Sequence, residues 1–259
     1  MSPAPLRVTY IGGPTALLEC AGLRFLTDPT LDPAGTDYPT PVYTLHKTQS
    51  PALPAAGIDH IDAVLLSHDH HFDNLDHAGR AAVAIAGMTY TTRTGAERLG
   101  AMARGLEPWE SVDLPTPGGG SLRLTATPAR HGPAGGDRGP VIGFILTDLR
   151  HPEASTWFSG DTVWYEGVEE VGRRFRVGTA LLNLGAAKVA AAGPDPLTFT
   201  AAQAVELARA WPETLIIPLH FEGWTHFSEG QAEVARAFAA AGLESRLRWL
   251  EPGKRTTLP

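Results

Sequence analysis

Short apolar runs recur along the whole chain, at residues 6–11, 16–20, 24–26, 63–66, 82–86, 122–127, 141–146, 156–159, 180–184, 215–219 and 246–250. Most are too short for helices and are bounded by turn residues, so they predict buried strands. Helical stretches lie between some of them. Thr94-Gly-Ala-Glu97, Thr200-Ala-Ala-Gln203 and Ser228-Glu-Gly-Gln231 have capping-box spacing, in which two side chains satisfy each other's orphan N–H groups at a helix start. After Thr200, the residues Ala204, Val205, Ala208 and Trp211 share one helical face. After Ser228, Val234, Ala235 and Phe238 do the same, and Gly242 supplies a natural stop. Strands dominate early and helices come later, which predicts an α/β protein with two sheets covered by helices. The Pro- and Gly-rich stretches at 115–120 and 132–140 are too short for interdomain linkers, so 1–259 is expected to form a single domain.

Several of these runs end in a side chain able to bind a metal. Leu65-Leu66-Ser67 leads to His68, and the strand at 122–127 leads through Pro128 to His131. Trp157-Phe158-Ser159-Gly160 leads to Asp161, and Ile216-Ile217-Pro218-Leu219 leads to His220. Ligands of open sheets gather beyond the carboxyl ends of strands, where loops from several strands converge. Alone, each residue reads as a structural histidine or a turn-forming aspartate. The segment Ser67-His-Asp-His-His-Phe-Asp-Asn74 changes that balance. It packs His68, His70 and His71 beside Asp69 and Asp73, and imidazole and carboxylate are ligands for divalent ions of intermediate hardness.

Composition narrows the function classes. Net charge is −7, a poor basis for broad phosphate-backbone binding, so no nucleic-acid partner is expected. Cys20 is the only cysteine, which excludes an intrachain disulfide and a thiolate metal cluster and predicts a small buried hydrophobe. No apolar run approaches the roughly 20 residues needed to span a bilayer. The first residues lack a basic segment followed by an apolar one. A cytoplasmic protein acting on a small molecule, without a membrane partner, is the expectation; whether it forms a homo-oligomer is left open.

The order of a His-rich cluster, His131, Gly160-Asp161 and His220 resembles the metallo-β-lactamase superfamily of metal-dependent hydrolases. Further motifs resemble its branch that includes L-ascorbate 6-phosphate lactonase. They are Tyr10-Ile-Gly-Gly-Pro-Thr-Ala-Leu-Leu-Glu19, Leu26-Thr-Asp-Pro29, Thr127-Pro-Ala-Arg-His-Gly132 and His220-Phe-Glu-Gly-Trp-Thr-His-Phe227. The resemblance implies an αββα sandwich with a metal cleft at one edge. It implies that His68, His71 and His131 hold one divalent ion, and that Asp161 bridges to a second held with Asp73 and His220. Zinc is the first choice, then manganese or iron. A metal-bound hydroxide would attack a small ester or lactone, with Asp73 orienting it and His226 protonating the leaving group. A small phosphodiester, or a redox or non-catalytic metal protein, is the alternative.

The chain departs from the family's His-x-His-x-Asp-His pattern by one extra residue and by Asn74 in the last place. In one register His68 and His70 pair as ligands. In the other His71-x-Asp73 keeps the family spacing and His68 reaches across the extra residue; this is the preferred reading. His70 would then face substrate or support a ligand, and Asp69 would hydrogen-bond a ligand histidine. Asp76 is a substitute oxygen ligand or a first-turn helix residue, and Asn74 is a weak ligand or a helix cap. Trp164, Tyr165, Trp224 and Phe227 are expected to line the cleft, with Lys188 or Arg130 meeting an anionic substrate group.

Overall fold

The computed structural model describes residues 5–136 and 138–258; the first four residues of the segment read above for a leader lie outside that range. A meander of β1 (Arg7–Gly12), β2 (Thr15–Cys20) and β3 (Leu23–Thr27) opens the first sheet. A separate hairpin follows, β4 (Asp37–Pro39) and β5 (Thr44–His46). The sheet then resumes in parallel with β6 (Ala63–Leu65), α1 (His77–Ile85), β7 (Thr89–Thr92), α2 (Arg93–Leu99) and β8 (Ala103–Leu106). In the second sheet β9 (Ser111–Pro115), β10 (Ser121–Pro128), β11 (Ile142–Asp148) and β12 (Ser155–Phe158) are antiparallel neighbours. After α3 (Glu166–Arg174), β13 (Val177–Asn183) joins in parallel, and after α4 (Ala201–Ala210) so does β14 (Leu215–Leu219). Helix α5 (Gln231–Ala240) follows, and β15 (Arg255–Thr257) returns to pair with β1.

The two-residue period of the strands decides the layering. Leu18, Phe25, Ala63 and Leu65 from the first sheet meet Leu124, Phe144, Leu181 and Ile217 from the second in one central core. Their neighbours along the chain point the other way. Leu17, Leu26 and Val64 pack with Val83 of α1, while Ile145, Ala180 and Ile216 pack with Val168, Ala204 and Phe238 of α3, α4 and α5. The result is the αββα sandwich with two mixed sheets. No helix among the described residues is long and apolar enough to cross a membrane.

Local signals held unevenly. Thr200 caps α4 as expected, its hydroxyl accepting from the Gln203 N–H at 3.1 Å. Helix α2 is capped two residues before Thr94, by Thr92, whose hydroxyl accepts from the Gly95 N–H at 3.0 Å. Ser228 donates instead to the Ala186 carbonyl, and Glu233 accepts from the Gly230 N–H at the start of α5. The run at 82–86, expected as a strand, lies mostly within α1, and 246–250 contributes only a bridge from Leu247 to Ile216. Cys20 is partly rather than fully buried, and burial pushes its thiol up to about 12.

Candidate metal centre

Four of the expected residues follow directly on strands that end at the same edge of the sandwich. His68 comes after β6, His131 after β10, Asp161 after β12 and His220 after β14, and their donor atoms converge. The turns that bring them together are sterically demanding. Gly160 has φ +59, and a Cβ there would stand 2.6 Å from the Ile142 carbonyl oxygen, so only glycine fits before Asp161. His220 itself has φ 55, a conformation a side-chain-bearing residue rarely adopts, held by its N–H donating to the Gly13 carbonyl at 2.8 Å.

One side of the site is made of imidazoles. Buried Asp28, from the Thr27-Asp-Pro29 turn, accepts from the Ser67 N–H and hydroxyl, both at 2.6 Å, and from the Asn74 amide at 2.9 Å. With the Ser67 proton given to Asp28, His68 Nδ1–H donates to Ser67 Oγ at 2.9 Å, which leaves the His68 Nε2 lone pair facing inward. His131 Nδ1–H donates to the Leu197 carbonyl at 2.8 Å and likewise turns Nε2 inward. His71 Nδ1 lies 2.9 Å from His68 Nε2 and 3.2 Å from His131 Nε2. Two nitrogens on a tetrahedral zinc ion, at bonds of about 2.0–2.1 Å, are roughly 3.3 Å apart, so this spacing suits a shared cation. Burial, then the His131 imidazole, pushes the His71 ring down to about 3, and burial and His71 hold His68 well below the usual range. Both rings are therefore neutral, the form that binds metal.

The other side is charged. Asp161 Oδ1 accepts from the Asn183 amide at 2.8 Å and from His220 Nδ1 at 3.0 Å. Its Oδ2 is buried without a hydrogen-bond partner among the described residues, 3.6 Å from His131 Nε2. His220 Nε2 likewise has none among them; it stands 3.5 Å from Asp73 Oδ2, and that oxygen is 2.9 Å from His226 Nε2. Burial alone would raise Asp73 and Asp161, but the surrounding imidazoles hold both carboxylates below their usual range. Buried polar atoms normally find partners. Two orphaned ligand atoms beside three inward imidazole nitrogens fit one or two divalent ions.

The remaining expected residues fall as follows. His70 is exposed and its Nε2 donates to the Arg138 carbonyl at 2.9 Å, in keeping with the preferred register, while one of its ring nitrogens lies within 4.8 Å of those of His68 and His71, the grouping the other register requires. Asp69 bonds no histidine; both its oxygens take the Arg98 guanidinium, at 2.7 and 2.5 Å. Asn74 does not cap α1; its amide NH2 donates to Asp28, and its buried Oδ1 has no hydrogen-bond partner among the described residues. Asp76 is the cap of α1, accepting from Gly79, and its second oxygen holds Lys47 at 2.8 Å and the Asp32 N–H at 2.7 Å. Trp164 packs against Trp211, and Tyr165 lies against the Arg130 guanidinium, which also reaches Glu166; none of these borders the cleft. Trp224 is buried against Tyr38 and Lys47. Phe227 packs on the rings of His220 and His226. Lys188 is exposed and contributes a backbone N–H to the His226 carbonyl. The cleft is bordered instead by Tyr43, Leu45, Arg138, Val189, Leu197 and His226, beside His71, Asp73 and His131. Asp28 entered the sequence reading only as part of the Leu26-Thr-Asp-Pro29 motif and Asn183 only within the run at 180–184; neither was assigned to the site, although each sits at or just past the end of a strand as the ligands do.

Comparison with known proteins agrees with this geometry. A family profile described as a β-lactamase superfamily domain matches residues 23–221. A UPF0173 metal-dependent hydrolase of Opitutus terrae is 31% identical over 230 residues, covering 83% of this chain and 85% of its own. The chain therefore belongs to the β-lactamase superfamily, among its metal-dependent hydrolases. In fold it is similar to a possible metal-dependent hydrolase from Veillonella parvula, with a TM-score of 0.83 and 22% identity over 98% of this chain and 100% of that one. It is also similar to isothiocyanate hydrolase from Delia radicum gut bacteria, with a TM-score of 0.81 and 23% identity over 96% and 98%.

Proposed function

We propose that the protein hydrolyses a small-molecule ester or lactone, with zinc as the first candidate ion and manganese or iron next. The observation that carries this reading is the convergence of His68 Nε2, His71 Nδ1 and His131 Nε2 beside the unpartnered Asp161 Oδ2 and His220 Nε2. His68, His71 and His131 would hold one ion, and Asp73, Asp161 and His220 a second. A divalent ion bound there supplies a Lewis acid and makes a water acidic enough to deprotonate near neutral pH. The chain's own residues do the rest. Asp28 and Ser67 fix the His68 tautomer, and the Leu197 carbonyl fixes that of His131. His226 Nε2–H holds Asp73, whose carboxylate orients the attacking water. The buried, unpartnered His226 Nδ1 is the atom available to hold a proton for the leaving group. Leu45, Val189 and Leu197 keep bulk water from the reacting bond.

The test is metal analysis followed by a panel of ester, lactone, thioester, phosphodiester and isothiocyanate substrates with zinc, manganese and iron. Ester or lactone turnover that disappears on chelation and returns with metal is the expected result. Turnover of phosphodiesters alone would overturn the ester reading, and full metal loading without any turnover would point to a non-catalytic member of the fold.

A further inference from the structure

The loop from His68 to Asp73 sends His68, His71 and Asp73 toward the metal centre. The three residues between them are each held by a different part of the fold. Asp69 is buried, and both its oxygens take the guanidinium of Arg98 from α2. Its carbonyl accepts from Arg80 Nη2 of α1 at 2.7 Å. His70 Nε2 donates to the Arg138 carbonyl, and a Cβ on Gly139 would stand 3.1 Å from that nitrogen, so glycine lets the ring come close. The Phe72 ring stacks on buried Tyr38 of β4, with centroids 4.8 Å apart. These anchors matter because His70 and His71 are equal as ligands. Their ring centroids are 4.4 Å apart, and His70 lies as near to His68, at 4.7 Å, as His71 does, at 4.8 Å. A divalent ion does not tell one imidazole from another, so the loop's anchors make the choice. Exchanging the two rings would shift the backbone of residues 69–71. His70 is restrained by one bond to a neutral carbonyl. Asp69 is restrained by a two-pronged ionic bond and a third contact at its carbonyl, which is the stronger hold.

We propose that the Arg98–Asp69 pair locks the register of the metal centre, so that His71, and not His70, joins His68 and His131 as a ligand. Arg98 is thereby a positioning residue that acts on the ion through Asp69 and the loop backbone. The inference rests on the imidazole half being a metal site, and is independent of which bond is hydrolysed.

A mutant cycle on zinc affinity tests it, read by titrating the full chain against a competing chelator. Asp69→Asn with Arg98→Met removes the pair without leaving a buried carboxylate unpaired, and Arg98 is half-exposed, so its replacement spares the core. In the native background His71→Ala should lose most of the zinc affinity. In the Asp69→Asn/Arg98→Met background the same substitution should cost about tenfold less, because His70 turns in to replace the lost ring. Adding His70→Ala there should remove the recovered affinity. Arg98→Lys, which keeps the charge but not the fork, should give a smaller shift in the same direction. A merely structural pair would lower the melting temperature and leave the cost of His71→Ala the same in both backgrounds, which overturns the proposal. So does a recovered affinity that survives His70→Ala. If the double variant does not fold, the cycle on Arg98→Lys decides, and an unchanged cost of His71→Ala there overturns the lock. Native protein that binds no zinc would overturn the metal site and the lock together, whereas zinc binding with unchanged histidine costs overturns the lock alone.

Discussion

The two halves of the metal centre are built on different principles. On the imidazole side each supporting bond ends on an oxygen outside the site. Asp28 and Ser67 stand behind His68, and the Leu197 carbonyl stands behind His131, so the lone pairs face inward before any ion arrives. On the carboxylate side the donors are engaged with one another. Asp161 Oδ1 already takes two hydrogen bonds, and Asp73 Oδ2 meets His226 Nε2 at 2.9 Å while His220 Nε2 stands 3.5 Å away. His220, flanked by Asp161 and Asp73, has its pKa raised to about 10 against the opposing effect of burial. A cation entering that side must therefore displace a proton and rearrange bonds to carboxylates, whereas on the imidazole side it replaces only the contacts of His71 Nδ1 with His68 Nε2 and His131 Nε2. The imidazole half should bind first and more tightly.

The largest effects come from removing a donor. His131→Ala should abolish turnover and release the tight ion. Asp161→Ala should abolish turnover too, yet leave close to one equivalent of metal in the imidazole half. Metal analysis after dialysis, alongside activity, checks both; equal metal loss in the two variants would erase the distinction between the halves.

Next comes the register of the opening motif. His71→Ala should lose the tight ion, because its Nδ1 meets both His68 and His131. His70→Ala should keep the metal, since its Nε2 is spent on the Arg138 carbonyl. Metal retained in His71→Ala and lost in His70→Ala would establish the other register.

Support behind a ligand should matter less than the ligand itself. Asp28→Asn places an N–H where three donors converge, and should weaken zinc at the imidazole half by about 10–100-fold, the usual range for partners that orient a ligand. Titration against a competing chelator reads this directly. An unchanged affinity would mean that His68 does not depend on Ser67 and Asp28 for its orientation.

Asn74 should show the smallest effect on metal. Asn74→Ala removes one of the bonds to Asp28 and should cost about 1–3 kcal/mol of stability, read by chemical denaturation, while shifting zinc affinity less than Asp28→Asn does. A larger loss of zinc than in Asp28→Asn would restore Asn74 as a ligand.

The sequence made the layering and the strand ends legible because both are local. Apolar runs with a two-residue period, each closing on His or Asp, can be read without knowing what they pack against. The partners of Asp69, Asn74 and Asp76 could not be read that way. Arg98, Asp28 and Lys47 lie 29, 46 and 29 residues away in the chain and are brought in only by the packing of α2, the β3 turn and the β4–β5 hairpin. Tyr43 and Arg138 were missed for the same reason: both sit on connecting segments, where neither periodicity nor ligand spacing marks a position. Trp164 and Trp224 look like cleft residues from their nearness to ligands, but apolar burial elsewhere claims them.

Anomalous diffraction from crystals given one and then two equivalents of zinc tests the central claim most directly. The first peak should lie among His68, His71 and His131, and the second, weaker one between Asp161, Asp73 and His220. A first peak on the carboxylate side, or one outside both clusters, would contradict the account.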